Sequence, residues 1–323
     1  MPDTCDIRWF RQNFREKIDP ALQGTPFSLD FLTALACQET GEVWPILRKK
    51  NLSLDRIVEL CVGDTIDFNP NTGKGRKAFP KDKAALVAVT NGQRMFDIAR
   101  QALVDMAHFI DSYKGAASNP DKFCHGYGVF QFDLQFFIKG EADYFLNKDY
   151  ADFDKCLARA LGELKDAQQK IPALKNKSVL TDLEMAHVAI AYNTGSFNPA
   201  KGLKQGFVPK DKHGNPIGPF YGEQVFAFIN QAKNVPHEDD VTTLPFTVDA
   251  NGPRFKVSST KLNLRSEPCV DSGAASNIKA SLSKDHVVQA MTNRAVRGFM
   301  EVETDFDGER LRGFASAQFL TPV

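Results

Sequence analysis

Phe31-Leu32-Thr33-Ala34-Leu35-Ala36-Cys37-Gln38-Glu39-Thr40-Gly41 is the run on which the reading of this chain turns. Its apolar residues predict a helix, and Ser28 ahead of Leu29 and Phe31 supplies an N-cap. On that helix Glu39 falls one turn after Leu35 and two turns after Leu32, so its carboxylate lies on the apolar stripe. Gly41 and Pro45 end the helix and leave Glu39 in its last turn. There the negative end of the helix dipole and the apolar neighbours both disfavour ionisation. A carboxyl that keeps its proton near neutral pH has the property a general acid needs. The plain alternative is a glutamate that emerges from a helix end into water.

Two further segments carry polar groups in unusual settings. Cys124-His125-Gly126-Tyr127-Gly128-Val129-Phe130-Gln131-Phe132-Asp133 sets two glycines ahead of an alternating run. The glycines permit a tight turn or a close approach, and an extended run would turn Gln131 and Asp133 to one face. Ala189-Ile190-Ala191-Tyr192-Asn193-Thr194-Gly195 ends a helix that Thr181-Asp182-Leu183-Glu184 opens as a capping box, with Gly195 at C′. Tyr192 and Asn193 then offer a hydroxyl and an amide. Taken singly, the first of these segments is also an ordinary hairpin, and the second a core tyrosine beside a capping asparagine.

The three segments, in this order, resemble the lysozyme-like superfamily of goose-type lysozymes and soluble lytic transglycosylases. There a Glu-Ser-(x)-Gly motif supplies the catalytic acid, Gly-Leu-Met-Gln-(Val/Ile) lines the cleft, and Ala-Tyr-Asn packs beside the acid. The resemblance implies Glu39 as the acid, Gln131 and Tyr127 as substrate contacts, and Tyr192 and Asn193 as supports of acid and substrate. Asp133 matches an aspartate that handles water in goose-type enzymes. The longer glycine- and aspartate-rich loop of those enzymes is missing, which leaves Asp121 as the nearest further carboxylate. Thr40 replaces the usual Ser and Phe130 the usual Met. Tyr221-Gly222-Glu223-Gln224-Val225 is similar to the opening of the family's late helix.

The implied activity is that of a peptidoglycan muramidase, cleaving the β-1,4 bond between N-acetylmuramic acid and N-acetylglucosamine by inverting hydrolysis. The alternatives are a lytic transglycosylase that leaves 1,6-anhydro ends and, from another class, an inactive glycan-binding wall protein. Chitin is a further candidate substrate. No metal or organic cofactor is implied.

The rest of the sequence sets the frame. The 323 residues suggest about two domains. Lys+Arg 40 against Asp+Glu 40 gives net charge +0 and no basic stripe, so a nucleic-acid partner is not expected. No apolar run is long enough to span a membrane, and Asp3, Asp6, Arg8 and Arg11 do not make a Sec-type signal. The expectation is synthesis in the cytoplasm and action at the cell wall after export by another route, such as a phage holin or a dedicated secretion system. An immunity or inhibitor protein is a conceivable partner of such an effector. The six cysteines show no ligand spacing, and buried free thiols are favoured over disulfides.

Residues 1–235 read as a mainly α, lysozyme-like catalytic domain, with Met95, Ile98, Ala102, Met106, Phe109 and Tyr113 as its clearest helical stripe. Residues 236–253 read as a linker on their Pro, Gly and Asp content. Residues 254–323 read as short strands: Lys261–Arg265, Val287–Met291 and Phe299–Glu303 alternate between turn residues. The run Leu262-Asn263-Leu264-Arg265-Ser266-Glu267-Pro268, the stretch Ser276–Leu282 and the close Gly313–Leu320 resemble a bacterial SH3-like domain, hence a small all-β barrel. Such domains often bind cell-wall peptide stems, which makes peptide stems a second expected partner beside the glycan strands.

Overall fold

The structure, a computed structural model, describes residues 1–236, 241–248, 252–271 and 277–323. The chain divides into two compact units. One comprises Met1–Pro2 and Phe10–Lys233, the other Asp3–Trp9 and Asn234–Val323.

The helices are α1 (Thr4–Leu22), α2 (Leu29–Thr40), α3 (Trp44–Leu47), α4 (Leu54–Glu59), α5 (Lys83–Val87), α6 (Gly92–Ala107), α7 (Lys114–Ser118), α8 (Ala142–Leu146), α9 (Phe153–Gln169), α10 (Asp182–Thr194) and α11 (Tyr221–Lys233). None is long and apolar enough to cross a membrane, among the described residues. Helix α2 forms as its sequence predicts, with the Ser28 hydroxyl accepting from the Phe31 amide at 3.2 Å. It is buried nearly all round rather than along one stripe, because α10 and α11 pack against it. Gly41 stays right-handed, at φ −66°. What it supplies is closeness, since a Cβ there would stand 2.6 Å from the Pro2 ring.

The Thr181 capping box is present, and Gly195 takes the left-handed C-cap at φ +82°. The expected stripe is helical only to Ala107, with Tyr113 in a separate short turn. Helix α1 precedes the first helix that the sequence marks, the one capped by Ser28. Its buried face of Ile7, Phe10, Phe14 and Ile18 is spaced for a helix, and the charged residues between them hid it.

A small antiparallel sheet lies inside this helical unit, of order β1 (Val62–Gly63), β2 (Gly126–Tyr127), β3 (Phe132–Asp133). The segment around Gln131 is therefore a hairpin and not one extended run. Gly126 pairs with Asp133 and Tyr127 with Phe132, and the chain reverses between them with Gly128 at φ +78° and Gln131 at φ +54°.

The second unit holds β4 (Val241–Thr243), β5 (Arg254–Val257), β6 (Lys261–Arg265), β7 (Ile278–Ser283), β8 (Val287–Val296), β9 (Phe299–Phe306), β10 (Glu309–Ser316) and β11 (Leu320–Pro322). They form one curled antiparallel sheet of order β11-β5-β8-β9-β10-β6-β7, with β4 on β8. Arg297-Gly298 and Asp307-Gly308, all at positive φ, make the two tight reversals around β9. Alternate residues turn inward to a core that includes Val257, Leu264, Leu282, Val288, Val302 and Ala315. The chain thus pairs a helical unit with a β unit.

Two expectations change here. Val241–Thr243 is not linker but strand, paired with Arg294–Val296. Residues 237–240 and 249–251 of the expected linker, and Ser276 of the SH3-like pattern, lie outside the described residues. Cys5 and Cys269 form a disulfide with Cα atoms 6.0 Å apart, while Cys37, Cys61, Cys124 and Cys156 are buried thiols. The expectation of free thiols therefore fails for one pair, whose 264-residue separation hid it from the sequence.

Candidate active site

A cavity of about 840 Å³ opens in the helical unit. Glu39, Gln131, Asp133, Tyr192 and Asn193 all line it, with Glu42, Asp64, Glu163, Phe207 and others around them. Three sequence segments separated by up to about 150 residues therefore meet in one wall, through the following bonds.

Thr40 Oγ1 donates to the Val129 carbonyl at 2.7 Å, and Tyr192 Oη donates to the next carbonyl, Phe130, at 2.5 Å. The end of α2 and the end of α10 thus grip successive carbonyls of the turn that presents Gln131. A hydroxyl at residue 40 is what this geometry asks for, and threonine meets it. The Gln131 side chain folds under the turn, its Nε2 donating to the Gly128 carbonyl at 3.0 Å. Its amide oxygen sits where Gly126 would carry a Cβ, 2.2 Å away, so glycine at 126 is what makes room.

Glu39 is half-buried at the last turn of α2. Tyr221, the first residue of α11, donates its hydroxyl to Glu39 Oε1 at 2.5 Å. Burial pushes the Glu39 carboxyl up to about 7, and the Tyr221 bond, which favours the ionised form, offsets part of that rise. The phenols of Tyr192 and Tyr221 are themselves pushed far up by burial and by the neighbouring Glu39, so both remain hydroxyl donors. At neutral pH the site therefore holds a carboxyl poised between acid and base forms in a hydrogen-bonded seat.

If Glu39 donates a proton in the reaction, Tyr221→Phe should move the alkaline limb of activity to higher pH. Removing a bond that stabilises the carboxylate raises the carboxyl further, and a pH–rate profile of the variant against the native protein checks the direction.

Asp133 reaches the cavity, but its carboxylate is engaged. Arg76 binds both its oxygens, Nη1 to Oδ2 at 2.9 Å and Nη2 to Oδ1 at 2.5 Å, and the Gln135 amide donates to Oδ1 at 2.7 Å. Arg76 also donates to the carbonyls of Phe79 and Pro80, and its side chain is only 8% exposed. Glu163 on α9 lines the same cavity half-buried, its carboxyl raised chiefly by burial, with no hydrogen bond or ion pair to any described residue. Arg76, Glu163 and the Tyr221 hydroxyl are the parts of this site that the sequence did not disclose as such. Tyr221 shows in the sequence only as a helix opening, whereas Arg76 and Glu163 carry no pattern of their own.

Two expected residues do not join the site. Tyr127 has 0% exposure, donates to the Cys124 carbonyl at 2.7 Å and packs against the rings of Phe145 and Tyr150. A side chain sealed in this way cannot touch a substrate. Asp121 is exposed, pairs with Lys83 Nζ at 2.9 Å and is not in the cavity lining. Asp121 therefore brings no second carboxylate to this cavity.

No family model, curated protein or solved structure matches this chain.

Proposed function

We propose that the helical unit is a glycosidase of the peptidoglycan muramidase type, with Glu39 as general acid. The observation that carries this reading is a half-buried carboxyl at about 7 facing a large cavity beside Gln131, Tyr192 and Asn193. Glu39 protonates the bridging oxygen as the glycosidic bond breaks, and positive charge develops on the sugar ring. Asn193 supplies an amide for the hydroxyl and acetamido groups of the glycan, Gln131, its own amide nitrogen bound to the Gly128 carbonyl, shapes the wall, and Tyr221 holds the acid in place. The glycan strands of the cell wall are the proposed substrate, and peptide stems a proposed ligand of the β unit. The Cys5–Cys269 bond supports action in an oxidising compartment. The decisive experiment is a turbidity assay of purified protein on peptidoglycan, repeated on chitin oligomers.

A second reading, lytic transglycosylation, is favoured by the state of Asp133. A carboxylate bound at both oxygens by a guanidinium is a poor base for water, and on this second reading the sugar's own 6-hydroxyl is the attacking group. Asp133→Asn is therefore expected to slow cleavage less than tenfold on this reading, and by roughly 10²-fold or more if Asp133 activates water. Mass spectrometry of the products separates the two chemistries, because the anhydro product is one water lighter.

A further inference from the structure

We propose that Phe207 is a sugar platform in the Glu39 cavity, an inference that rests on the glycosidase reading. Among the described residues of the helical unit, Phe207 is the one aromatic side chain in the exposed class, at 71% exposure, and it lines this cavity together with Asn193, Thr194, Gly195 and Pro209. Nearly every other phenylalanine in the unit is wholly or partly sunk in the core. A phenylalanine ring left in water loses the stabilisation that burial would provide.

The backbone beneath the ring is fixed. The Tyr221 amide donates to the Phe207 carbonyl at 2.9 Å, and the Gly222 amide donates to the Gln205 carbonyl at 3.1 Å. Gln205 in turn ties its own loop, giving its side-chain amide to the carbonyls of Gly202 and Asn198 at 2.7 and 2.9 Å and accepting from the Asn198 amide at 2.9 Å. Gly206 stands at φ +82°, where a Cβ would come within 2.5 Å of the Tyr221 Cβ and 3.2 Å of Asn193 Oδ1. Residue 207 is thus locked against the tyrosine that holds the acid, while its ring is left out in the cavity.

The chemistry of the lining identifies the occupant. Glu39, Gln131, Asn193 and Thr194 offer polar groups, and Phe207 offers one flat apolar face. The complementary ligand has a polar rim and an apolar face on the same ring, which describes a pyranose with its axial C–H bonds on one side. A wholly apolar ligand would leave the Asn193 amide unpaired, and a wholly polar one would leave the ring in water.

The test uses the full chain carrying Glu39→Gln, which removes turnover, and titrates it calorimetrically with an alternating GlcNAc–MurNAc tetrasaccharide and with chitotetraose. Adding Phe207→Ala should weaken binding about tenfold, as expected for loss of one aromatic contact, and Phe207→Trp should preserve it. The melting temperature of Phe207→Ala should stay near that of the parent, since the ring packs little in the free protein. Unchanged affinity in Phe207→Ala, with the parent still binding, overturns the platform and leaves the glycosidase reading standing. Failure of the parent to bind either tetrasaccharide, together with no wall clearing by the native protein, rejects both.

Discussion

Glu39→Gln is expected to abolish cell-wall clearing, by roughly 10²–10⁴-fold, while the protein remains folded. The amide keeps the shape of the side chain and can still meet the Tyr221 hydroxyl, but it has no acidic proton to give. The same substitution predicts a stability change of defined sign. The folded-state value of about 7 stands above the ordinary glutamate value of 4.5, so the folded protein holds a proton that the unfolded chain releases between those limits. Glu39 therefore costs nothing below pH 4.5, and its ionisation destabilises the fold progressively up to about pH 7. Above that, the cost levels at up to about 3 kcal/mol. Glu39→Gln should unfold at a higher temperature than the native protein at pH 8 and at nearly the same temperature at pH 4. An activity that survives in a folded variant, or a stability difference that grows toward acid pH, would sink the assignment.

The second large effect is expected at Arg76. Its buried guanidinium holds both oxygens of Asp133, reaches Asp64 at 3.3 Å and satisfies the carbonyls of Phe79 and Pro80. Arg76→Ala leaves a half-buried carboxylate and two carbonyls without their partner, a loss of about 3–5 kcal/mol in urea unfolding. Arg76→Lys should recover little of it, because an ammonium cannot serve two carboxylate oxygens and two carbonyls from one planar fork. Asp133→Asn combined with Arg76→Ala should be less damaging than Arg76→Ala alone, since it removes the stranded charge. Strict additivity of the two changes would show that the pair contributes nothing as a pair.

Much of the site was legible from local pattern. The Ser28 and Thr181 caps, the Gly195 terminus and the strand Lys261–Arg265 obey short-range rules, and the structure has them where those rules put them. Glu39, Gln131, Asp133, Tyr192 and Asn193 line one cavity. What failed was whatever depends on distant partners. Gln131 and Asp133 would share the face of a strand were the run extended, and the alternation alone did not exclude that; φ +54° at residue 131 makes it the hairpin that was the other reading. Asp133 looked like a free carboxylate because Arg76, 57 residues earlier, gives no local sign that it will bind there. Tyr127 was named as a substrate contact on the resemblance alone, yet its ring is buried and the glycines beside it make room for neighbours, Gly126 for the Gln131 amide and Gly128 for the Cys156 sulfur.

The bond between Cys5 and Cys269 has a consequence for the timing of assembly. A ribosome releases the sulfur of Cys5 264 residues before that of Cys269, so the segment carrying the first must wait for the second before the bond can close. Asp3–Trp9 belongs with the β unit, and a fragment cut to begin at Asn234 would lack that segment and strand Cys269 as a lone thiol. Deletion experiments that remove Asp3–Trp9 should therefore be scored in the β unit.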